Sequence, residues 1–411
     1  MSALSPTQVP APAPRGSLSP SMGANASPSL ASSARPVFCH FTLSHAEFKS
    51  RTFHRQCLPL AADGFQVRYL SPAPSAGRRD GIDLVRLPRC LGRLRRFLAW
   101  PRLLVSLLQQ RAAVYHFQDP ELLPLASVLK TVFRKRVLYD AYEDFPSMAL
   151  QSSSIPRPVR PFVSRVVAAA EGFAARSFDG ILTADPLTMQ RLARAGRSRK
   201  LVLYNFPNLD FFPPPVESLR PKEFELVYRG GLSERAGTHL LLEAIRILRE
   251  QGRVVRLLLI GYSDGASSER ALRDKIGAFG LAPFTEILGR IPHEEMAFAL
   301  SRARIGVSPL LATPKFQINI PVKIFEYWAC GLPVISSDLR PIWPFFRTVH
   351  AGLLFPPGEA QALAFSIQWM LDHRSEAEAM GRAGRAAAVR RFNNRGEAAR
   401  FSRFCRCVIA A

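Results

Sequence analysis

The chain has 411 residues, 47% of them hydrophobic, and its 55 basic and 32 acidic residues give a formal net charge of +23 at pH 7. This length and hydrophobic content allow two α/β domains with buried cores and exclude a chain that is disordered throughout. The sequence has no run of 18 apolar residues and no apolar stretch behind a charged start, so we expect neither a spanning helix nor a secretory signal.

The positive charge is largest in the first half, where residues 36–210 hold 26 basic and 13 acidic residues. Such an excess favours a polyanionic partner: anionic lipid, a lipid diphosphate or nucleic acid. A compositional bias toward arginine is the alternative. We expect no nucleic-acid partner, because no basic motif interleaved with aromatic residues is present. The six cysteines lack zinc spacing, which favours a reduced cytoplasmic protein.

Residues 1–34 contain nine Ser, seven Ala and six Pro, and this composition predicts a disordered tail. Beyond the tail, a first predicted domain covers 35–205. It has a helix at about 48–62 and a Pro/Gly/Arg loop at 71–82. Its strands are predicted at 37–41, 65–70, 114–117, 136–139, 180–184 and 201–204.

Residues 206–221 contain five prolines and are predicted to be a linker. A second predicted domain covers 222–390, and a C-terminal helix covers 391–411. Strands of the second domain are predicted at 224–228, 254–260, 284–288, 304–308, 332–336 and 352–355. Strands that alternate with helices predict the α/β class, with two Rossmann-like, doubly wound domains and ligands at the carboxyl ends of the strands.

Residues 315–338 are predicted to form a loop, a helix, a tight turn and a buried strand, with Asn319 and Pro321 at the helix entry. Lys323 and Glu326 are three positions apart, so they share one face near the helix N-terminus. A helix N-terminus binds anions and can position a carboxylate against hydroxyl groups. An exposed ion pair in an ordinary αβ unit is the alternative.

This segment resembles the donor-binding segment of family 4 glycosyltransferases in the pattern Pro321-x-Lys323-x-x-Glu326-Tyr327-x-Ala329-x-Gly331-x-Pro333-Val334-Ile335. The resemblance implies the two-domain GT-B fold, in which the domains face a cleft and the C-terminal helix crosses back to the first domain. It also implies retention of configuration and independence of metal. Glu326 would hold the ribose hydroxyls of a nucleotide sugar, with Pro321 and Lys323 beside the donor.

The second predicted domain opens with Tyr228-Arg229-Gly230-Gly231-Leu232-Ser233-Glu234-Arg235-Ala236-Gly237. Backbone N–H groups of such a turn, at Gly230 and Gly231, can contact a diphosphate, although a plain βα loop is the alternative. The turn resembles the element of the same family that neutralises the leaving diphosphate, but Ala236 stands in the usual Lys position. The resemblance therefore assigns the charge to Arg229, Arg235 and Lys323.

The family also carries an acidic residue eight positions before Glu326, where this chain has Ile318. The neighbouring Asn319 could hydrogen-bond a sugar hydroxyl instead. The alternative is a catalytically degenerate GT-B protein that binds a nucleotide sugar or a partner without transfer.

Two segments of the first predicted domain, 115–124 and 139–144, resemble family segments that face the cleft. His116 takes the first of two usual histidine positions. On this basis we expect His116 to contact the donor sugar, and structural roles are the alternative. The expected acceptor-side carboxylates are Asp119, Glu143 and Asp144, with Glu143 or Asp119 orienting the acceptor hydroxyl.

The stretch 86–111 holds seven Arg and no acidic residue. It predicts helical faces of opposite character, one apolar and one basic. A contact with the anionic inner face of the membrane is one reading, and a crossover helix with a solvated basic face is the alternative. The predicted membrane patch consists of Arg89, Arg93, Arg95 and Arg96.

Together these features predict a cytoplasmic, peripherally membrane-bound glycosyltransferase of cell-surface polysaccharide or glycoconjugate synthesis. The expected donor is a UDP- or GDP-sugar, and the expected acceptor is a glycan or a lipid-linked group. We expect no metal and no other cofactor.

Overall fold

The computed structural model describes residues 35–44, 50–72, 76–89, 92–152, 155–193, 196, 198–214, 222–263 and 265–411. Residues 35–411 form one compact unit. The predicted tail 1–34 and residues 215–221 of the predicted linker lie outside the described residues.

Two sheets organise the described chain. The first contains β1 (Val37–Phe41), β2 (Gln66–Ser71), β3 (Gly77–Arg79), β4 (Ile82–Arg86), β5 (Val114–Phe117), β6 (Val137–Ala141), β7 (Gly180–Thr183) and β8 (Arg199–Val202). Its order is β3-β4-β2-β1-β5-β6-β7-β8, and its described neighbours are parallel except for β3 and β4. We call this sheet and the helices packed on it the first domain.

The second sheet contains β9 (Phe224–Gly231), β10 (Leu257–Tyr262), β11 (Thr285–Leu288), β12 (Ala303–Ser308), β13 (Val334–Ser337) and β14 (Gly352–Phe355). Its order is β11-β10-β9-β12-β13-β14, with parallel pairing throughout the described strands. The order reverses beside β9, so a crevice opens at the carboxyl end of that strand. This sheet and its helices are the second domain.

A π-helical segment, Ser50–Cys57, leads into the first α-helix. The α-helices of the first domain are α1 (Leu58–Ala62), α2 (Arg93–Leu98), α3 (Trp100–Gln109), α4 (Leu123–Thr131), α5 (Phe145–Gln151), α6 (Arg160–Ser177) and α7 (Pro186–Ala193). The later ones are α8 (Thr238–Glu250), α9 (Ala266–Ala278), α10 (Met296–Ser301), α11 (Val322–Ala329), α12 (Trp343–Phe346), α13 (Ala360–Asp372), α14 (Arg374–Arg390) and α15 (Asn394–Ala410).

These two sheets confirm the predicted fold class, and β1, β5 and β14 have the predicted bounds. The prediction of a loop at 71–82 is wrong in part, because β3 and β4 form an antiparallel hairpin there. Its two-residue turn is Asp80-Gly81, and both residues have positive φ. Asp-Gly is typical of such a turn, because Gly and Asp tolerate positive φ better than most residues.

The last helix, α15, packs on the first sheet although it follows the second sheet in sequence. Its Phe401 and Cys405 are buried in the same core as Phe38 of β1. The Glu397 carboxylate accepts a hydrogen bond of 2.8 Å from the backbone N–H of Tyr204, just after β8. The chain therefore passes between the two sheets twice. The exact domain boundary at 206–221 stays a prediction.

Candidate active site

Helix α11 of the second domain holds the residues that are predicted to bind the donor. It starts after Pro321, which has extended backbone angles, and it is followed by Gly331 at φ 71°. The ring of Tyr327 fills the space beside Gly306 of β12, where a Cβ would lie 2.4 Å from the ring. This close packing holds α11 against the sheet, and both Lys323 and Glu326 are buried in the helix.

The Glu326 side chain is fully buried between two arginines from different domains. Its Oε2 lies 3.2 Å from Nε of Arg229, and its Oε1 lies 3.6 Å from Nη2 of Arg55. Neither carboxylate oxygen accepts a hydrogen bond from a described residue. Buried carboxylate oxygens are usually hydrogen-bonded, so these two have unused capacity to accept hydrogen bonds.

Lys323 lies one turn before Glu326, and its Nζ sits 4.0 Å from the centroid of the Tyr228 ring. Burial, and secondarily the positive charge of Arg229, lower its pKa to about 7. Gly230 has φ 143°, and a Cβ there would lie 3.0 Å from Lys323 Nζ. The absence of a side chain at Gly230 therefore leaves room for the Lys323 amine at the end of β9.

Arg229 contacts Glu326, and its charge acts on the buried Lys323 one turn earlier, so two basic side chains lie close to the first turn of α11. The backbone N–H of Arg229 donates to the Tyr327 hydroxyl at 2.8 Å. Such an arrangement stabilises the negative charge of a phosphate or diphosphate. Arg235 is exposed on the turn after β9, and its predicted role stays a prediction. Gly231 shares the end of β9 with Gly230.

The structure brings together two residues that the sequence assigned to opposite sides of the cleft. Asn319, before α11, donates from Nδ2 to the Glu143 carboxylate after β6. Lys315 Nζ lies 3.2 Å from the same Glu143 oxygen. The loop before α11 is thereby tied to the carboxyl end of the first sheet.

Comparisons with known proteins support the same architecture. Residues 50–205 match the family described as Glycosyl transferase 4-like domain, and residues 223–373 match the family described as Glycosyl transferases group 1. The structure resembles sucrose-phosphate synthase from Thermosynechococcus elongatus with a TM-score of 0.75 and 20% identity, over 92% of this chain and 100% of that one. The chain has the GT-B fold.

A second GT-B neighbour is Anabaena HepE in complex with UDP-glucose, with a TM-score of 0.69 and 15% identity over 91% of this chain and 100% of that chain. Among curated proteins, the amylovoran biosynthesis glycosyltransferase AmsK of Erwinia amylovora is 32% identical over 163 residues, 39% of each chain. The matched segment thus spans well under half the length of this relative.

In the first GT-B domain, His116 is fully buried at the end of β5. Its Nδ1 lies 3.0 Å from Nδ1 of His40, and its ring packs against the rings of Phe38 and Phe401. Burial lowers the pKa of His116 to about 4. A direct contact with a sugar would require the surrounding side chains to move, so the catalytic role of His116 stays a prediction.

A buried carboxylate next to His116 organises this end of the first GT-B sheet. Asp140 accepts two hydrogen bonds from Arg51, at 2.8 and 2.9 Å, and one each from Gln56 and Gln118. The nearby Arg51 guanidinium holds the pKa of Asp140 down at about 2, although burial alone would raise it.

The two predicted acceptor-side aspartates are also held inside the first domain. Asp119 accepts a 2.6 Å hydrogen bond from the Thr42 hydroxyl, which fixes the loop after β1. Asp144 is buried, with Oδ1 3.5 Å from Nη2 of Arg191. Of the three predicted acceptor-side carboxylates, Glu143 is the one whose described contacts reach the second domain.

Sequence reasoning missed Arg55, which supplies the first-domain contact to Glu326. Burial lowers the pKa of its guanidinium to about 10. Arg51 and Gln56 of the same π-helical segment are buried as well. A strongly polar segment that follows the first strand is unusual for a crossover helix. This polarity was the sequence signal that could have pointed to Arg55.

The predicted membrane patch lies on α2 and the segment before it. Arg96 bonds within the first domain instead: its Nη1 donates to Glu121 Oε1 at 2.8 Å and to Ser44 Oγ at 3.1 Å. Arg95 is exposed, Arg89 Nε lies 3.4 Å from the carbonyl oxygen of Pro72, and the side chain of Arg93 is outside the described residues.

Beside Arg95, the side chains of Phe97 and Leu98 are 57% and 69% exposed. Among the helices that the structure describes, none combines the length and the hydropathy that spanning a bilayer requires.

Proposed function

We propose that this chain transfers a sugar from a nucleotide-sugar donor, a UDP- or GDP-sugar, to a glycan or lipid-linked acceptor with retention of configuration. The observation that carries the proposal is the buried Glu326 carboxylate, whose two oxygens accept no hydrogen bond from a described residue. Arg229 lies 3.2 Å from one of them, and Lys323 lies one turn earlier on the same helix. The GT-B fold shared with HepE, which is described in complex with UDP-glucose, supports a nucleotide-sugar donor.

In this mechanism the ribose and the diphosphate of the donor both bind beside α11. Glu326 accepts hydrogen bonds from the ribose hydroxyls, while Arg229, Lys323 and the N-terminus of α11 stabilise the charge that develops on the leaving diphosphate. A diphosphate beside Lys323 favours the charged amine, so donor binding raises a pKa that burial has lowered. These cationic groups can serve the leaving group without a metal ion or other cofactor.

The acceptor hydroxyl is oriented on the first-domain side of the cleft. Glu143 is the favoured residue for this role, because its carboxylate reaches the loop before α11. Domain contacts at this loop would hold the two substrates together and limit hydrolysis of the donor. The relative AmsK, named for amylovoran biosynthesis, supports a place in polysaccharide synthesis.

A peripheral membrane location on the cytoplasmic side belongs to the same proposal. Exposed Phe97 and Leu98 beside Arg95 offer an apolar insertion and a basic contact with an anionic surface. This location would bring the enzyme to a lipid-linked acceptor.

A binding-only GT-B protein is the second candidate, and Ile318 at the usual acidic position favours it. One assay separates the two. Purified protein is offered UDP-, GDP-, ADP- and dTDP-sugars with a membrane lipid extract, and release of nucleoside diphosphate is measured. Release with one donor, lost in Glu326→Ala and kept in the surface variant Glu378→Ala, supports transfer. Donor binding that depends on Glu326 without release, after acceptors have been varied, supports the binding-only protein.

A further inference from the structure

A cavity of about 480 Å³ lies beside the candidate donor site, within the size range of small-molecule sites. Its walls come from α7, from the chain that leaves β8, from α12, and from the junction of α14 and α15. Four aromatic side chains pack on one another around it: Tyr204, Phe206, Phe345 and Phe392. The lining is therefore mainly apolar.

The cavity shares a wall with the donor site. Ile318 and Ile320 line the cavity, while Asn319 between them bonds to Glu143 in the cleft. Phe206 packs against Phe325, the neighbour of Glu326 on α11, with ring centroids 4.8 Å apart. A ligand in the cavity would thus be separated from the cleft by the 318–320 loop.

Two arginines stand at the cavity, Arg340 and Arg391, and both are exposed. Within the described residues, neither guanidinium forms an ion pair with a carboxylate, and that of Arg391 lies 5.2 Å from the centroid of the Phe392 ring. The one carboxylate in the lining, Glu397, is engaged by the Tyr204 N–H at 2.8 Å and by Arg400 at 2.7 Å. The cavity is therefore apolar inside with two cations at its edge.

We propose that this cavity binds the apolar chain of a lipid phosphate, with the phosphate held by Arg340 and Arg391. This inference rests on the proposed function, for which it names a lipid-phosphate acceptor. An unmodified sugar would find few polar partners on aromatic and aliphatic walls, whereas an apolar chain gains from burial there. Ile318 fits the same explanation, because a carboxylate at that position would place a charge on the apolar wall.

Farnesyl phosphate, a short apolar chain with one phosphate, is a suitable probe for calorimetric titration of the full chain. Farnesol and inorganic phosphate are the comparison ligands. Leu187→Trp fills the cavity from α7, and Arg391→Ala removes one cation from the surface. Arg390→Ala, an exposed neighbour whose guanidinium bonds to the carbonyl of Ala386, is the matched control.

We expect farnesyl phosphate to bind, and to bind about tenfold more weakly in Arg391→Ala because a charge-assisted contact is lost. Leu187→Trp should abolish this binding while UDP affinity is kept, which also shows that the variant folds. Arg390→Ala should bind like the unmodified chain. Equal binding of farnesol, no effect of Leu187→Trp, or displacement of the probe by UDP would overturn the proposal.

The test is independent of sugar transfer. If farnesyl phosphate binds as expected but no nucleoside diphosphate is released with any donor, the transferase proposal fails and the lipid-phosphate site stands. If transfer is observed but the probe does not bind, the site fails and the transferase proposal stands.

Discussion

The Glu326 carboxylate contacts the Arg55 guanidinium across the domain interface, with Oε1 and Nη2 3.6 Å apart. Both side chains are buried, so each charge is stabilised by the opposite charge of its partner. The residue proposed to hold the ribose is thus already in contact with the first domain.

Replacing Arg55 tests this contact. Arg55→Gln should lower the free energy of unfolding by about 2 kcal/mol, because a buried charge loses one of its two arginine neighbours. Urea unfolding measures the change. Arg78→Gln removes a guanidinium that is 72% exposed and 3.8 Å from Asp83, and it should have no measurable effect. Equal stability of the two variants would contradict the prediction.

The pKa of Lys323, lowered to about 7, predicts a pH dependence of UDP binding. Above that pH the free amine is largely neutral, and binding of the diphosphate must then take up a proton. Affinity should therefore fall as pH rises from about 7 to about 9, by up to about tenfold per pH unit. Calorimetry in two buffers of different ionisation enthalpy measures the proton uptake. An unchanged slope in Lys323→Met would show that another group titrates.

Substitutions at the neighbouring residues Gly230 and Gly231 test whether the phosphate site requires a glycine at position 230. Gly230→Ala should weaken UDP binding and cost about 1–3 kcal/mol of stability, because it forces φ 143° on an alanine and places its Cβ 3.0 Å from Lys323 Nζ. Gly231→Ala meets no heavy atom within 4 Å and should bind UDP normally. Thermal unfolding and calorimetry of both variants check this, and similar losses in the two would refute the proposed role of Gly230.

Glu143 should affect turnover rather than donor affinity. Glu143→Gln is expected to lower the rate of nucleoside diphosphate release about tenfold, with the UDP dissociation constant unchanged, because the carboxylate lies on the first-domain side. Glu121→Gln, which alters the pair with Arg96, is the control. A parallel loss of UDP affinity in Glu143→Gln would instead place the residue with the donor.

Membrane association should depend on the exposed apolar side chains of α2. The double substitution Phe97→Ser with Leu98→Ser is expected to weaken flotation with anionic vesicles about tenfold. Val254→Ser, which changes a valine that is 55% exposed in the second domain, should float normally. High salt should also reduce flotation, since the Arg95 contribution is electrostatic. Flotation that is insensitive to salt and to anionic lipid would exclude this surface.

Local sequence signals predicted most of the second domain. Gly331 and Pro333 end α11, and the apolar residues of that helix pack as their spacing indicates. The placement of Lys323 and Glu326 on one helical face follows from their spacing, because helix geometry brings residues three positions apart next to each other.

Contacts between distant segments could not be read from spacing. The Asn319 bond to Glu143 and the Arg55 contact with Glu326 depend on how two domains meet. The packing of Phe401 of the last helix against the His116 ring likewise joins residues that are far apart in the sequence. The β3–β4 hairpin was predictable from Asp80-Gly81, yet the surrounding Pro, Gly and Arg residues favoured a loop.

The position of α15 has a consequence for biosynthesis. Phe401, Cys405 and Val408 fill the core that also contains Phe38 of β1. A ribosome makes the first sheet long before it makes these side chains, so that sheet emerges with part of one face uncovered. Its core is completed only after residues 401–408 have been synthesised, so this apolar surface stays uncovered throughout synthesis of the second domain.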